Sequence, residues 1–375
     1  MTSVSVRSDA LANAAARLGE SAEVLRCEAS AVASALVRCR SPGLLAPHRV
    51  PGWVHLEARG AAVVGPGGLW GAGLALDVLA VRLAAAARGY QEVERGVAAV
   101  LRAVGRAADV AARGGLLTDG DAAPVLREVR PRWAPRPLTG PADLVALGAG
   151  LEGGRVRVLE LDDGSGGSAW VVVVPGTQSW DPRAGAAPFD LTSDVRALTG
   201  DATVAGAGVA AALERAKAAS GRAGADDPVL LVGHSQGGIH AAALASDRAF
   251  TSRHRVTHVL ATGAPVGAFP LAETVRMLSV EHREDPVPAL DLTPSPDRDG
   301  WVTVRAGDGP ALDVRRHALD EYVHTVRAAQ GAPPGTVRGL GGWAATAGAF
   351  LHRPVRVVTE VVVERAAASL RADVR

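Results

Sequence analysis

The sequence predicts an α/β fold with a mainly parallel sheet, preceded by an all-α helical hairpin or bundle. Three observations carry that prediction. Short runs of aliphatic and β-branched residues, bounded by Gly and Pro, begin only after about residue 150. One of them, residues 229–232 (VLLV), runs directly into Gly233-His234-Ser235-Gln236-Gly237-Gly238 and then into an Ala-rich, helix-prone segment over 239–245. An apolar run of that length entering a glycine turn and a helix is the pattern of a buried parallel strand. Residues 1 to about 115, by contrast, hold no strand-like run and are rich in Ala, Leu, Val and Arg at helical spacing.

The elements follow in order. A first helix is expected over 9–37, where Leu11, Ala15, Leu18, Leu25, Val32 and Leu36 fall on about one face. A second is expected over 74–110, with Leu79, Val81, Leu83, Tyr90, Val93, Val97 and Leu101 as its apolar positions. Between them Ser41-Pro42-Gly43, Pro51-Gly52-Trp53 and Gly65-Pro66-Gly67-Gly68 break the pattern. Residues 1–115 therefore read as a helical module and 116–150, rich in Gly and Pro, as linker and entry segment. The second domain spans 151–375, with strands expected at 155–161, 169–174, 229–232, 278–282 and 301–305, then a last helix and an edge strand at 355–363.

Composition narrows the function. A net charge of +1 argues against a nucleic-acid footprint. Nothing reads as HExxH, CxxC or a phosphate-cradling glycine loop, so neither metal nor cofactor is expected. Cys27 and Cys39, if on one continuous helix, lie about 18 Å apart at ~1.5 Å per residue, beyond disulfide reach. The start of the chain lacks the apolar core of a signal peptide. Residues 61–76 are uncharged, but Pro66 and several glycines interrupt them and Asp77 follows, so a transmembrane span is not expected.

Ser235 is the candidate nucleophile. A serine at the tip of a sharp strand-to-helix turn has its hydroxyl lifted clear of the backbone, and Gly233 and Gly237 supply the room. Gly238 lets the helix pack close, and the N–H groups at the helix start point toward the place where an oxyanion would form. On these residues the chain resembles the α/β-hydrolase superfamily, in particular lipase-like and esterase-like members whose serine motif reads GHSxGG. The resemblance covers the C-terminal two-thirds and implies a doubly wound sheet with a catalytic order of serine, acid, histidine. The acid it points to is Asp285, just past the strand 278–282, in a DPVP sequence similar to the acid-bearing loop of lipase-like hydrolases; Glu284 and Asp291 are rivals. The base is expected to be His317, in a loop after a late strand and five residues before Tyr322, a pattern that resembles many such hydrolases. His324, in an expected helix, is its rival, and His352 is expected to be structural. One oxyanion donor would be the amide of Gln236, and the family's second donor would come from the loop after 169–174, here Thr177 or Gln178.

The resemblance implies a serine hydrolase acting on small-molecule or lipid esters through an acyl-enzyme, without cofactor or metal. A catalytically inactive or export-linked interaction protein built on the same fold is the alternative. Trp180, Asp181 and Phe189 are candidates to line a pocket, and 182–201 or 294–300 to cover it. The helical part resembles the small WXG-type hairpin proteins of actinobacteria, and Lys217, the only lysine among 40 basic residues, fits a high-GC source. Tyr90 and Glu94 match that family's Tyr-x-x-x-Asp/Glu export signal, although neither Trp53 nor Trp70 completes Trp-x-Gly. The resemblance implies a helical partner or type VII export machinery. Localisation is then cytoplasmic, or secreted or cell-envelope by a signal-peptide-independent route.

Overall fold

The computed structural model describes residues 8–39, 59–60, 62–65, 67–86, 117, 119, 123–134, 136–181, 184–291, 293–307, 313–333 and 335–366. It divides into a helical unit from Ser8 to Thr118, which takes in 181–183, and an α/β unit formed by the rest of the chain from Asp119 onward.

In the helical unit, α1 (Ser8–Cys39) packs along α2 (Leu69–Ala86). Leu18, Ala22 and Ala29 of α1 and Ala72, Ala75 and Leu76 of α2 are buried, and the four alanines allow close approach. At Gly73 a Cβ would lie 3.1 Å from the Ala22 carbonyl oxygen, so the backbones nearly touch there. Arg26 and Asp77 form an ion pair. Cys27 and Cys39 lie on the one uninterrupted helix, and Cys27 is an exposed free thiol. The second helix starts five residues earlier than its apolar spacing suggests. A turn closed by Gly68 N–H to the Gly65 carbonyl (2.8 Å) feeds it, and the Gly68 carbonyl then accepts from Ala72 (2.9 Å). The remainder of the expected 74–110 helix, with Tyr90 and Glu94, lies outside the described residues, as does Trp53.

The α/β unit is built on a mixed eight-stranded sheet ordered β1-β8-β2-β3-β4-β5-β6-β7. β3 (Ser168–Val174), β4 (Pro228–His234), β5 (Arg255–Thr262), β6 (Arg276–His282) and β7 (Trp301–Ala306) pair in parallel. β1 (Pro124–Val129), β8 (Val355–Arg365) and β2 (Arg155–Asp162) pair antiparallel, and β2 pairs antiparallel with β3. Two expectations are corrected here. The 116–150 segment is no plain linker: it carries β1 and a short helix α3 (Pro141–Ala146), both within the α/β unit. β8 is not an edge strand, because β1 covers its outer side. β1 eluded the sequence pattern because its mixed residues, PVLREV, are half-exposed at the sheet edge.

Alternation along the strands explains the layers. In β3, Trp170, Val172 and Val174 enter one core cluster while Ala169, Val171 and Val173 enter the other; in β4, Val229 and Leu231 part from Leu230 and Val232 in the same way. The first cluster is closed by α4 (Leu191–Leu198), α5 (Val204–Ser220), α6 (Gln236–Ser246) and the short α7 (Arg248–Thr251), the second by α3, α8 (Leu319–Gly331) and α9 (Leu340–Thr346). Strands buried on both faces need apolar residues at every position, which is why these runs are continuous.

Polar cross-links tie the antiparallel side together. Arg157, 1% exposed, donates from Nε to Glu360 (2.8 Å) and from its guanidinium to the carbonyls of Leu147 and Ala149, while Arg155 reaches the other Glu360 oxygen at 3.2 Å. Removing one member of such a buried pair strands the other. Glu360→Gln is expected to lower the unfolding free energy by ~3 kcal/mol in urea titration, and a loss below ~1 kcal/mol would show that Arg157 is rehydrated instead.

Two buried histidines give the fold an acid sensitivity. Burial pushes His240 down to about 4, and burial followed by the charge of Arg276 does the same for His258. Both stay neutral in the fold where an unfolded histidine takes up a proton, near pH ~6.5. Stability is therefore full above that pH and declines as pH falls toward about 4. The slope should reach up to ~1.4 kcal/mol per pH unit for each histidine. Replacing both with Gln should reduce the slope of unfolding free energy against pH between 6.5 and 4, with His234, His254 and His282, also held down by burial, supplying what remains; an unchanged slope would place the proton uptake elsewhere.

Candidate active site

Ser235 follows the last residue of β4 and holds φ 55°, ψ −127°, a conformation rarely adopted by a residue with a side chain. The surroundings impose it. The Ser235 amide donates to the Thr262 carbonyl (2.9 Å), and its own carbonyl accepts from Gly238 (2.9 Å) and Ile239 (3.3 Å) to open α6. Glycine is required around it: a Cβ on Gly233 would lie 2.0 Å from the Gly237 carbonyl carbon, one on Gly237 2.2 Å from the Val174 oxygen, and one on Gly238 2.5 Å from the Ala264 Cβ. The turn is as tight as the backbone permits.

The other two candidates come to the same point from far along the chain. His317 Nε2 lies 2.9 Å from Ser235 Oγ, and His317 Nδ1 lies 2.6 Å from Asp285 Oδ2. Ser235, Asp285 and His317 are all buried. An ionised carboxylate only accepts, so Nδ1 carries the ring proton and Nε2 is left free to accept from the serine hydroxyl. His317 ends a 3-10 turn (Val314–His317) whose start is capped by the Asp313 side chain. Asp285 lies three residues past β6, and its Oδ1 accepts from the Val287 amide at 2.9 Å. Burial opposes ionisation of Asp285, but the charge and bond of His317, the Tyr322 hydroxyl and the Val287 amide outweigh it and hold the carboxyl below its ordinary range.

The rival residues are placed elsewhere. Asp291 accepts from the amides of Ala268 (3.1 Å) and Thr293 (3.2 Å), and burial lifts its carboxyl to about 6. Glu284 lies against Gly307, where a Cβ would be 1.9 Å from its Oε2. His324 is on the exposed side of α8, and His352 takes a left-handed turn (φ 57°) whose amide donates to Leu138.

For an oxyanion, the amide of Gln236 opens α6 and has no acceptor within the helix. The loop after β3 passes beside it: a Cβ on Gly176 would lie 3.6 Å from the Ser235 Cβ. Of the two expected donors there, Gln178 is corrected, because its amide is spent on the Phe189 carbonyl at 2.7 Å. Thr177 is the remaining candidate. Its hydroxyl donates to Asp194 (2.9 Å), a carboxyl that burial, with Asp190 beside it, raises well above the usual range. Phe189 belongs to the core, edge-on to His240, rather than to a pocket wall. Trp180 is half-buried after β3.

Three contributors were not singled out as site residues by the sequence. Tyr322 donates to Asp285 Oδ2 at 2.7 Å; His282, at the end of β6, stacks on Tyr322; and His234, whose Nδ1 faces the Thr262 carbonyl at 3.1 Å, lies with its ring 4.8 Å from that of His317. The spacing of His282 three residues before Asp285 carries no chemistry until the fold stacks it on a residue of α8. A cavity of about 580 Å³, lined by Arg276, Arg298 and Trp301 among others, opens at the N-terminal ends of β6 and β7, the edge of the parallel sheet opposite Ser235. Among the described residues no group of three His, Cys, Asp or Glu is placed to hold a metal ion. No family model matches the chain, and no curated protein and no solved structure is significantly similar to it.

The glycine requirement is directly testable. Gly237→Ala would push a methyl against the Val174 and Pro175 carbonyl oxygens. Clashes with backbone do not relax by rotamer change, so a loss of 2 kcal/mol or more, roughly, is expected by thermal or urea unfolding. Unchanged stability would mean that the β3 loop is free to retreat.

Proposed function

We propose that this chain is a serine hydrolase of the α/β-hydrolase type that cleaves carboxylic esters through an acyl-enzyme. The observation that carries the reading is the buried line Ser235 Oγ, His317, Asp285 Oδ2, with contacts of 2.9 and 2.6 Å. Support comes from the strained Ser235 at a strand-to-helix turn, from the chain order serine, acid, histidine, and from the parallel strands β4 and β6, whose C-terminal ends lead into Ser235 and Asp285.

The chemistry follows from the groups present. His317 Nε2 takes the Ser235 proton as Oγ attacks the ester carbonyl, and Asp285 stabilises the imidazolium that forms. The amides of Gln236 and Thr177 receive the developing oxyanion. The imidazolium then protonates the leaving alkoxide, and the same histidine deprotonates the water that cleaves the acyl-enzyme. Small-molecule or lipid esters are the substrate class.

The packed pair α1 and α2 supports reading the helical unit as a WXG-type hairpin, and with it a helical partner or a type VII-like export route. The Tyr90 and Glu94 signal that bears on export lies outside the described residues.

A fluorophosphonate probe should label Ser235 and fail on Ser235→Ala and His317→Ala. Asp285→Asn should slow ester hydrolysis by roughly 10⁴-fold with the fold retained, since the amide favours the wrong imidazole tautomer. Folded wild-type protein that takes no label would favour a non-catalytic interaction role.

A further inference from the structure

Asp285 is held by more than His317. Its Oδ2 accepts from both the His317 ring (2.6 Å) and the Tyr322 hydroxyl (2.7 Å). Tyr322 is fully buried, and its one hydroxyl proton is committed to Asp285. The phenol oxygen is left as an acceptor, and the His282 amide donates to it at 3.3 Å.

His282 is fixed in turn. Its ring stacks on Tyr322 at 4.0 Å and 10°. Its Nδ1 faces the Arg316 carbonyl oxygen at 2.6 Å, which can only accept, so the ring proton is on Nδ1 and Nε2 accepts from Thr325 Oγ1 at 2.7 Å. Arg316 immediately precedes His317, and Thr325 follows Tyr322 by one turn of α8. One imidazole thereby links the main chain beside His317 to the helix that carries Tyr322.

We propose that Tyr322, seated by His282, is a positioning residue that shares the Asp285 carboxylate with His317 and so sets how strongly that carboxylate holds the imidazolium. The proposal rests on reading Ser235, His317 and Asp285 as a triad. Two donors on one oxygen divide its charge between them. Without the phenol, the charge concentrates on the bond to His317, the imidazolium is favoured, and the base stays protonated to higher pH. The other groups facing the pair are His234 from β4, His282 and Glu281 from β6, and Arg316, which is ion-paired with Glu321. Removing the phenol oxygen alone takes an acceptor from the His282 amide and leaves each of these ionisable side chains in place.

Tyr322→Phe keeps the ring and its stack. Two measurements read it: the downfield NMR resonance of the His317 Nδ1 proton, which needs no turnover, and the pH dependence of Ser235 phosphonylation. The resonance is expected to move further downfield. The acid limb should move up by ~0.5–1 pH unit, a roughly 3- to 10-fold slower reaction on the acid side. Fluorotyrosine gives the opposite sign in the native sequence. Tyr90 and Tyr322 are the only tyrosines, and a more acidic phenol is a stronger donor, so the acid limb should move down. Burial, with Asp285 beside it, raises the Tyr322 phenol well above its ordinary range, which keeps the fluorinated form protonated.

An unmoved resonance and acid limb in folded Tyr322→Phe, or in the fluorotyrosine protein if that variant does not fold, would overturn the proposal. A uniform rate loss at every pH with a lower melting temperature would also overturn it, since it would mark a purely structural role. Failure of wild-type Ser235 to be phosphonylated would instead overturn the hydrolase reading, and the resonance would still report whether Tyr322 acts on the Asp285–His317 bond.

Discussion

The backbone of Ser235 is the constraint on which the α/β unit turns. A residue with a side chain held at φ 55°, ψ −127° is retained only where its surroundings over-determine it. Here they do so from three sides. Thr262 of β5 takes its amide, the first turn of α6 takes its carbonyl, and the Val174 to Gly176 stretch leaves no space for anything larger than glycine at 237. The strained turn places the Ser235 hydroxyl 2.9 Å from His317 Nε2, at the residue that opens α6.

The rest of the fold keeps that point still. β3, β4, β5 and β6 are buried on both faces, so their ends cannot drift without opening one of two cores. Loops that leave those ends deliver Thr177, Ser235 and Asp285 to one edge of the sheet, and His317 arrives after β7. On the antiparallel side Arg365 bridges Asp119 and Asp190, and Asp190 caps α4, the helix that carries Asp194 and through it the Thr177 hydroxyl. A buried ionic cluster far from Ser235 in sequence is thereby connected to the loop beside it.

How much of this was legible depended on whether the signal was local. Ser235, Asp285 and His317 were legible because each stands after an apolar strand or in a late loop. The GHSQGG motif is a local pattern even though only Gly233 is demanded by a contact within a few residues, Gly237 and Gly238 being demanded by Val174 and Ala264. The strands at 169–174 and 229–232 were readable as continuous apolar runs, and those at 278–282 and 301–305 from aliphatic residues at alternate positions, Leu278 and Val280, Val302 and Val304. β1 was not, since an edge strand with one face half-exposed needs no such run. Gln178 could not be told from Thr177 by sequence, because the partner of its amide, Phe189, is eleven residues away across a loop. His282 and Tyr322 became meaningful only when β6 and α8 were brought together. The helical unit showed its spacing but not where its second helix begins, which a glycine turn decides.

The central claim is that the Ser235 hydroxyl and the amides of Gln236 and Thr177 converge on one reacting centre. The crystal structure of the protein after reaction with a small alkyl phosphonate tests it most directly. The account predicts phosphorus bonded to Ser235 Oγ, a phosphoryl oxygen between the Gln236 and Thr177 amides at about 2.7–3.1 Å, and His317 still bonded to Asp285. An adduct on another residue, or a phosphoryl oxygen that turns away from both amides, would contradict it.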